Sequence, residues 1–404
     1  MQDYRARDLP LFLACRFATA VAMQVQSVAI AWRVYDIAHD PLALGLVGLC
    51  QFAPIFALTL PAGDVADRYD PRRVFSWSLG ALAVSGVVLL AITLATTTRV
   101  WPYYAVLVAI GASRGIAGPS SQSLVPFLVV PERLPRSIAW SSSTFQIAVI
   151  VGPAIGGLLY ALGPAAAFGT SAACFLLAGI GVSRLAGRRR PLADQPAATA
   201  AHRIAEGVGF VRHRPMILGA LTLDLFAVLL GGAVALLPVY ARDILHVGPI
   251  GLGLLRSAPA LGAALIALSI GRWSLDRHAG MRMFAAVAIF GVATIVFGVS
   301  RNFYLSLTVL AILGAADMIS VYVRQSLVQL SVPDVMRGRV SAVSVLFIGA
   351  SNELGEFESG VTAAWFGTAP AVVLGGAGTL LVVALWMYFF PQLRKVDKLA
   401  DVAR

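Results

Sequence analysis

The sequence predicts an all-α polytopic membrane protein. Of its 404 residues, 58% are hydrophobic and only 13% are charged, where a water-soluble domain carries about a quarter charged residues. Apolar runs of about 18 residues or more, each long enough to cross a bilayer as a helix, recur along the whole chain. The basic residues gather on alternate connections between those runs. The same composition excludes a disordered or fibrous chain. Cys15, Cys50 and Cys174 all lie in apolar runs without a spaced partner, which implies neither a disulfide framework nor a zinc site. None of the five histidines lies inside an apolar run, so no transition-metal site and no cofactor is expected. The chain start leads directly into a full-length span, so no cleaved leader is expected.

Twelve spans are expected, at 10–34, 42–62, 74–96, 103–127, 138–160, 165–184, 215–239, 250–271, 281–299, 303–328, 340–363 and 370–391. The longest connection, 185–214, is rich in Arg, Ala and Pro and divides the chain into six-helix bundles at 1–184 and 215–404. Only two of the 31 basic residues are lysine. With both termini placed in the cytoplasm, 23 of the 31 fall on that side, and Arg33, Arg99, Arg242 and Arg301 on the other. Arg16, Arg114, Arg256 and Arg324 remain within spans. The positive-inside rule therefore puts both termini in the cytoplasm. The net charge of +11 is read as topology and not as a nucleic-acid footprint.

The two halves repeat. Pro41 to Leu46 matches Pro249 to Leu254 at a shift of 208, and Gly63 falls on Gly271. Gln122 to Val125 matches Gln325 to Val328 at 203, and Val130-Pro131-Glu132 matches Val332-Pro333-Asp334 at 202. Two bundles of equal topology imply a pseudo-twofold axis along the membrane normal, with a substrate path between them.

The loop after the second span reads Gly63-Asp64-Val65-Ala66-Asp67-Arg68-Tyr69-Asp70-Pro71-Arg72-Arg73. It resembles the G-x-x-x-D-R-x-G-R-[KR] signature of the major facilitator superfamily, with Asp70-Pro71 in place of the usual Gly-Arg. That resemblance implies a conformational latch at Gly63, Asp67, Arg68 and Arg72, echoed by Asp276 and Arg277 in the second half. Val151 to Gly157 in the fifth span carries Gly152, Pro153, Gly156 and Gly157. It resembles the superfamily's exporter motif G-P-x-x-G-G, in which proline removes a backbone donor and glycines permit a kink and close packing. The related stretch Leu354 to Ser359 lacks that motif, so the feature is expected to be asymmetric. Gln24 to Asp36 and Asn352 to Gly360 are similar to the transmembrane secretion effector branch, which implies efflux of siderophore-like or drug-like molecules.

Ionisable residues within spans cost roughly 2.5–3.5 kcal/mol each on insertion scales, so each needs a role. The first half places Arg16 and Arg114 within its spans and no carboxylate. The second places Asp224, Asp317, Glu353, Glu356 and Glu358, with Arg256 and Arg324. Arg114 lands on Asp317 at the shift of 203, and Arg16 on Asp224 at 208, although Val34-Tyr35 against Val239-Tyr240 gives 205. Asp317, Arg114, Asp224, Glu353, Glu356 and Arg16 are thus the expected proton-coupling or cavity charges. Glu353 and Glu356 stand three apart on one helix face. Glutamines 24, 26, 51 and 146 (Gln24, Gln26, Gln51, Gln146) are expected to contact substrate or to cross-link helices. Phe52, Trp140 and Phe145 are candidate cavity aromatics, while Trp32, Trp101, Trp365 and Tyr103 are read as interfacial anchors.

With no nucleotide-binding motif, catalytic triad spacing or metal cluster in the sequence, the expectation is a non-enzymatic secondary exporter of a bacterial inner membrane. Its partners would be protons, an amphiphilic small molecule and the lipid bilayer, and the resemblance implies a monomer. The rival readings are a proton-coupled importer and a non-transporting receptor or lipid-handling protein.

Overall fold

The computed structural model describes residues 7–186, 200–270 and 277–398, and every regular element in them is helical. The long helices of the first half are α1 (Asp8–Ala38), α2 (Pro41–Arg68), α3 (Pro71–Leu94), α4 (Trp101–Leu128), α5 (Leu134–Leu162) and α6 (Pro164–Ser183). Then follow α7 (Ala200–Arg212), α8 (Pro215–Leu230), a short α9 (Leu237–Val239), α10 (Gly248–Ile270), α11 (Ala279–Val299), α12 (Phe303–Ser331), α13 (Asp334–Phe366), α14 (Thr368–Phe389) and α15 (Pro391–Arg394). Proline opens α2, α3, α6 and α8, where its missing N–H is not needed and its fixed φ suits the first turn. Asp70 caps α3 by accepting from the Arg72 backbone N–H at 3.0 Å, and Asn302 caps α12 through Leu305 N–H at 3.1 Å.

Among the described residues, ten helical spans are long and apolar enough to cross a membrane. The other two long helices, α4 and α13, are 28 and 33 residues. They fall short in apolarity, because α4 holds Arg114 with several Ser, Gly and Pro, and α13 holds Arg337, Arg339, Glu353, Glu356 and Glu358. By length and apolarity together ten of the twelve expected spans are met among the described residues.

Two elements differ from the sequence expectation. The seventh span, expected over 215–239, is one apolar span at Pro215–Ile244, but it is not a single helix, since α8 stops at Leu230. A 3-10 turn (Ala233–Leu236), α9 and a π turn (Tyr240–Ile244) then carry the chain onward. Gly231-Gly232 sits at the break, and a Cβ on Gly232 would lie 2.6 Å from the Gly355 carbonyl oxygen. The chain therefore has no room for a side chain there, and the glycine pair lets it pass close to α13. The second element is α7, which lies inside the stretch read as connection. The Glu206 carboxylate pairs with Arg339 of α13 at 2.8 Å, and Gly207 lets the two backbones approach.

The chain forms two compact units. One comprises Met1–His39, Cys50–Ala200 and Val247–Ser257; the other comprises Asp40–Leu49, Ala201–His246 and Ala258–Arg404. In the first, α1 packs on α5 and α6, and α3 on α4 and α6. In the second, α11 packs on α12 and α14, and α8 on α13 and α14. Van der Waals packing, not expulsion of water, holds helices together within lipid, and small residues bring the backbones close.

The same crossings recur in both units at the shifts read from the sequence. A Cβ on Gly111 of α4 would lie 3.0 Å from Gln51 Cα, and a Cβ on Gly314 of α12 would strike Pro259 of α10. Gly111 becomes Gly314 by adding 203, and Gln51 becomes Pro259 by adding 208. A Cβ on Gly45 would lie 3.1 Å from Gly360 Cα, and one on Gly157 would lie 3.1 Å from Gly253 Cα. These two contacts are related by the same pair of shifts.

Candidate functional site

In the first unit, Arg16 of α1 and Arg114 of α4 line one cavity of about 300 Å³. Arg16 Nη1 donates to Ser121 Oγ at 2.8 Å, and its guanidinium carbon stands 5.6 Å from the Phe145 ring centroid. Arg16 Nε is buried without a hydrogen-bond partner. Arg114 Nη1 donates to Gln51 Oε1 at 2.7 Å. Gln122, Thr19 and Phe75 also face the cavity.

In the second unit, Asp224 of α8 and Arg324 of α12 form an ion pair at 3.3 Å, with 7% and 3% of their side chains exposed. Asp317, two helical turns before Arg324 on α12, interacts electrostatically with both of them. The three residues make one ionic cluster inside membrane-spanning helices. The pair corresponds by position to Arg16 and Ser121, since 16 plus 208 is 224 and 121 plus 203 is 324. The contacts therefore support the shift of 208 for Arg16, over the alternative of 205. Arg114 and Asp317 are likewise equivalent positions.

The remaining candidates lie elsewhere. Glu353 and Glu356 are partly buried on α13, and Glu356 packs where a Cβ on Gly48 would be 2.9 Å from its Cβ. Glu358 accepts from Thr362 Oγ1 at 2.7 Å, a bond within its own helix. Gly152, Gly156 and Gly157 are buried on α5 with Pro153. A Cβ on Gly152 would lie 2.6 Å from Gln24 Cβ and one on Gly156 would lie 2.9 Å from Val25 Cα, so the bare glycines let α5 seat on α1. Position 355 keeps a glycine equivalent to Gly152, and Gly360 one equivalent to Gly157, while Pro153 and Gly156 become Glu356 and Ser359. The glycines at its two ends are therefore shared between the units, and Pro153 and Gly156 are specific to α5.

Among the glutamines, Gln24 sits at the α1–α5 crossing and Gln51 holds Arg114. Gln26 is buried with Nε2 unpartnered, and Gln146 is partly buried. None of the four lines the cavity; Gln122 does. Of the candidate aromatics Phe145 lines it, while Phe52 stacks on Phe56 at 5.4 Å and Trp140 is exposed. Tyr103, read as an interfacial anchor, is instead fully buried, its hydroxyl 3.3 Å from Thr93 Oγ1. Of the latch, the side chains of Gly63, Asp67 and Arg68, and all of Asp276, lie outside the described residues. Arg72 pairs with Asp70 at 2.8 Å and donates to the Leu185 carbonyl at 2.6 Å, and Arg277 is exposed. The Asp70-Pro71 departure from the signature thus serves as a helix cap and supplies a counter-ion for Arg72.

Phe75, Thr19 and Ser121 were not anticipated. Position 75 reads as one apolar residue among many, and only the repeat register, which sets Ser121 opposite Arg324, could have marked the serine.

The sequence profile of the transmembrane secretion effector family matches residues 8–404. The enterobactin exporter EntS of Citrobacter koseri is 24% identical over 386 residues, covering 95% of this chain and 92% of that protein. The multidrug efflux pump Tap of Mycolicibacterium fortuitum is 28% identical over 414 residues, covering 98% and 99%. Among solved structures, an inward-facing bacterial homolog of the human lysosomal transporter Spinster superposes with a TM-score of 0.74 at 13% identity, covering 98% of each chain. A peptide transporter of the POT family gives 0.75 at 12% identity, covering 97% and 96%.

Proposed function

The chain belongs to the transmembrane secretion effector family of major facilitator transporters, and from that premise we propose that it is a proton-coupled exporter of an amphiphilic small molecule. The relatives are an enterobactin exporter and a multidrug pump, which supports outward transport of a siderophore-like or drug-like cargo. Protons moving inward drive the cargo outward. The six-helix halves 1–184 and 215–404 rock about the substrate path, in a bacterial inner membrane with both termini in the cytoplasm.

The observation that carries proton coupling is the ionic cluster of Asp224, Arg324 and Asp317. Two carboxylates share one guanidinium, so one negative charge is left over inside the membrane-spanning region. A proton on one carboxylate neutralises the cluster, and losing that proton restores the charge. A group that binds and releases one proton as its surroundings change is what antiport requires. The test is proton flux in proteoliposomes holding a pH-sensitive dye, with a panel of siderophores and cationic, neutral and anionic drugs. Substrate-triggered proton movement in the wild type, lost in Asp317→Asn, is the expected result. Substrate movement with no proton flux would overturn the coupling and return the carboxylates to structural roles.

A further inference from the structure

The cavity of the first unit gathers two cations, where the second unit sets an arginine against carboxylates. Arg16 and Arg114 both face it, and among the described residues no carboxylate lines it. Each guanidinium meets neutral groups: Ser121 Oγ and the Phe145 ring for Arg16, Gln51 Oε1 for Arg114. One donor, Arg16 Nε, has no hydrogen-bond partner among the described residues. Guanidinium does not shed its proton in proteins, and a charge withdrawn from water without a counter-ion is costly. At the equivalent positions of the second unit the cost is met internally, because Asp224 pairs with Arg324 at 3.3 Å.

We propose that this cavity binds the anionic head group of an amphiphilic organic anion. Arg16 and Arg114, from two different helices, grip the head through paired N–H to oxygen bonds, the geometry guanidinium offers to carboxylates and similar anions. Ser121 and Gln122 add neutral hydrogen-bonding groups beside them, and Phe75 and Phe145 face the apolar part of the ligand. A volume of about 300 Å³ stands at the lower end of the range for small-ligand sites, about 300–1,000 Å³. As a statement about cargo, this rests on the export reading and narrows it to acidic amphiphiles; as a statement about binding, it rests on the cavity alone. An acidic cargo and an anionic lipid head group share the chemistry.

The test is calorimetric titration of the full chain in phosphatidylcholine nanodiscs, with no ion gradient, using 2-naphthoate and its uncharged analogue 2-naphthamide. The expected result is naphthoate binding at least about tenfold tighter than naphthamide. Arg16→Gln and Arg114→Gln should each weaken naphthoate by roughly ten- to a hundredfold, weaken naphthamide far less and keep the protein monodisperse. The comparison of the two probes on the unmodified chain stands even if a variant fails to fold. Replacing part of the lipid with phosphatidylglycerol separates the sources. Competition with naphthoate assigns the site to a lipid head group, and its absence assigns the site to cargo; both support an anion site. Equal affinity for the two probes, no binding of either, or naphthoate binding that survives the double substitution overturns the proposal. Efflux from cells reports on the export reading separately: efflux without anion preference sinks only the cavity proposal, and anion preference without efflux sinks only the export reading.

Discussion

Arg324 should matter more to folding than the carboxylate it touches. Its Nη1 lies 3.3 Å from Asp224 Oδ2, and both side chains are almost completely buried. At that distance, and with an effective dielectric of about 20, the gross attraction is roughly 5 kcal/mol. Removing one partner from such a pair costs about 3–5 kcal/mol, because the other charge stays behind. The two removals are not equivalent here. Asp224→Asn leaves Arg324 with a second carboxylate, Asp317, in electrostatic range, and puts the loss at the low end, about 3 kcal/mol. Arg324→Gln leaves two carboxylates facing one another without their cation, and puts it at the high end, about 5 kcal/mol. The pair Asp224→Asn/Arg324→Gln should recover on the order of 2 kcal/mol relative to the sum of the singles. Unfolding in detergent micelles by titration with dodecyl sulfate, followed by far-ultraviolet circular dichroism, measures all four corners of the cycle. Coupling below about 0.5 kcal/mol, or an Arg324→Gln chain as stable as Asp224→Asn, would refute the cluster as an energetic unit.

Other perturbations follow from the contacts. Gly157→Val places a side chain against the Pro249 carbonyl and Gly253; a stability loss of about 1–3 kcal/mol, read as a lower melting temperature in detergent, is expected. Gly360→Val tests the equivalent crossing against Gly45 and should cost a similar amount. Gln51→Leu strips the Oε1 that accepts from Arg114 Nη1 and should cost about 1.5–3 kcal/mol by the same unfolding assay. Arg339→Ala removes the partly exposed contact with Glu206; global stability should change by less than about 1 kcal/mol, while amide exchange across 205–212 should quicken as α7 loses its attachment. Unchanged exchange there would mean that packing alone holds α7 in place.

Much of the architecture was readable because membrane helices are constrained so tightly. Lipid requires continuous backbone hydrogen bonding, so apolar length translates directly into helix. The repeat was equally readable: Pro41 to Leu46 against Pro249 to Leu254 gave the shift that later paired Gln51 with Pro259 and Gly45 with Gly253. The break after Leu230 had one local signal, Gly231-Gly232, but α8 stays strongly apolar up to it, and the close approach of the Gly355 carbonyl, more than a hundred residues away, exists only once helices pack. For the same reason α7, buried in a basic connection, looked like loop until Arg339 gave it a partner. Among the charges, the sequence located Arg16, Arg114, Asp224 and Asp317 but not their contacts. A serine 105 residues from Arg16 and an arginine 100 residues from Asp224 become neighbours only when helices pack. Hydropathy ranks Phe75 with every other apolar residue, so the cavity wall carries no sequence signal of its own.

The equivalence of Arg16 with Asp224, and of Arg114 with Asp317, bears on how such a chain came to exist. Had the two halves once been separate copies of one polypeptide meeting as a symmetric dimer, a single codon would have specified both members of each pair. Either position could then have been arginine twice or aspartate twice, and never one of each. Opposite charges at these sites therefore date from after the gene was duplicated, when each copy could drift alone. That divergence left one half with an ion pair of its own and the other with two cations that meet neutral partners.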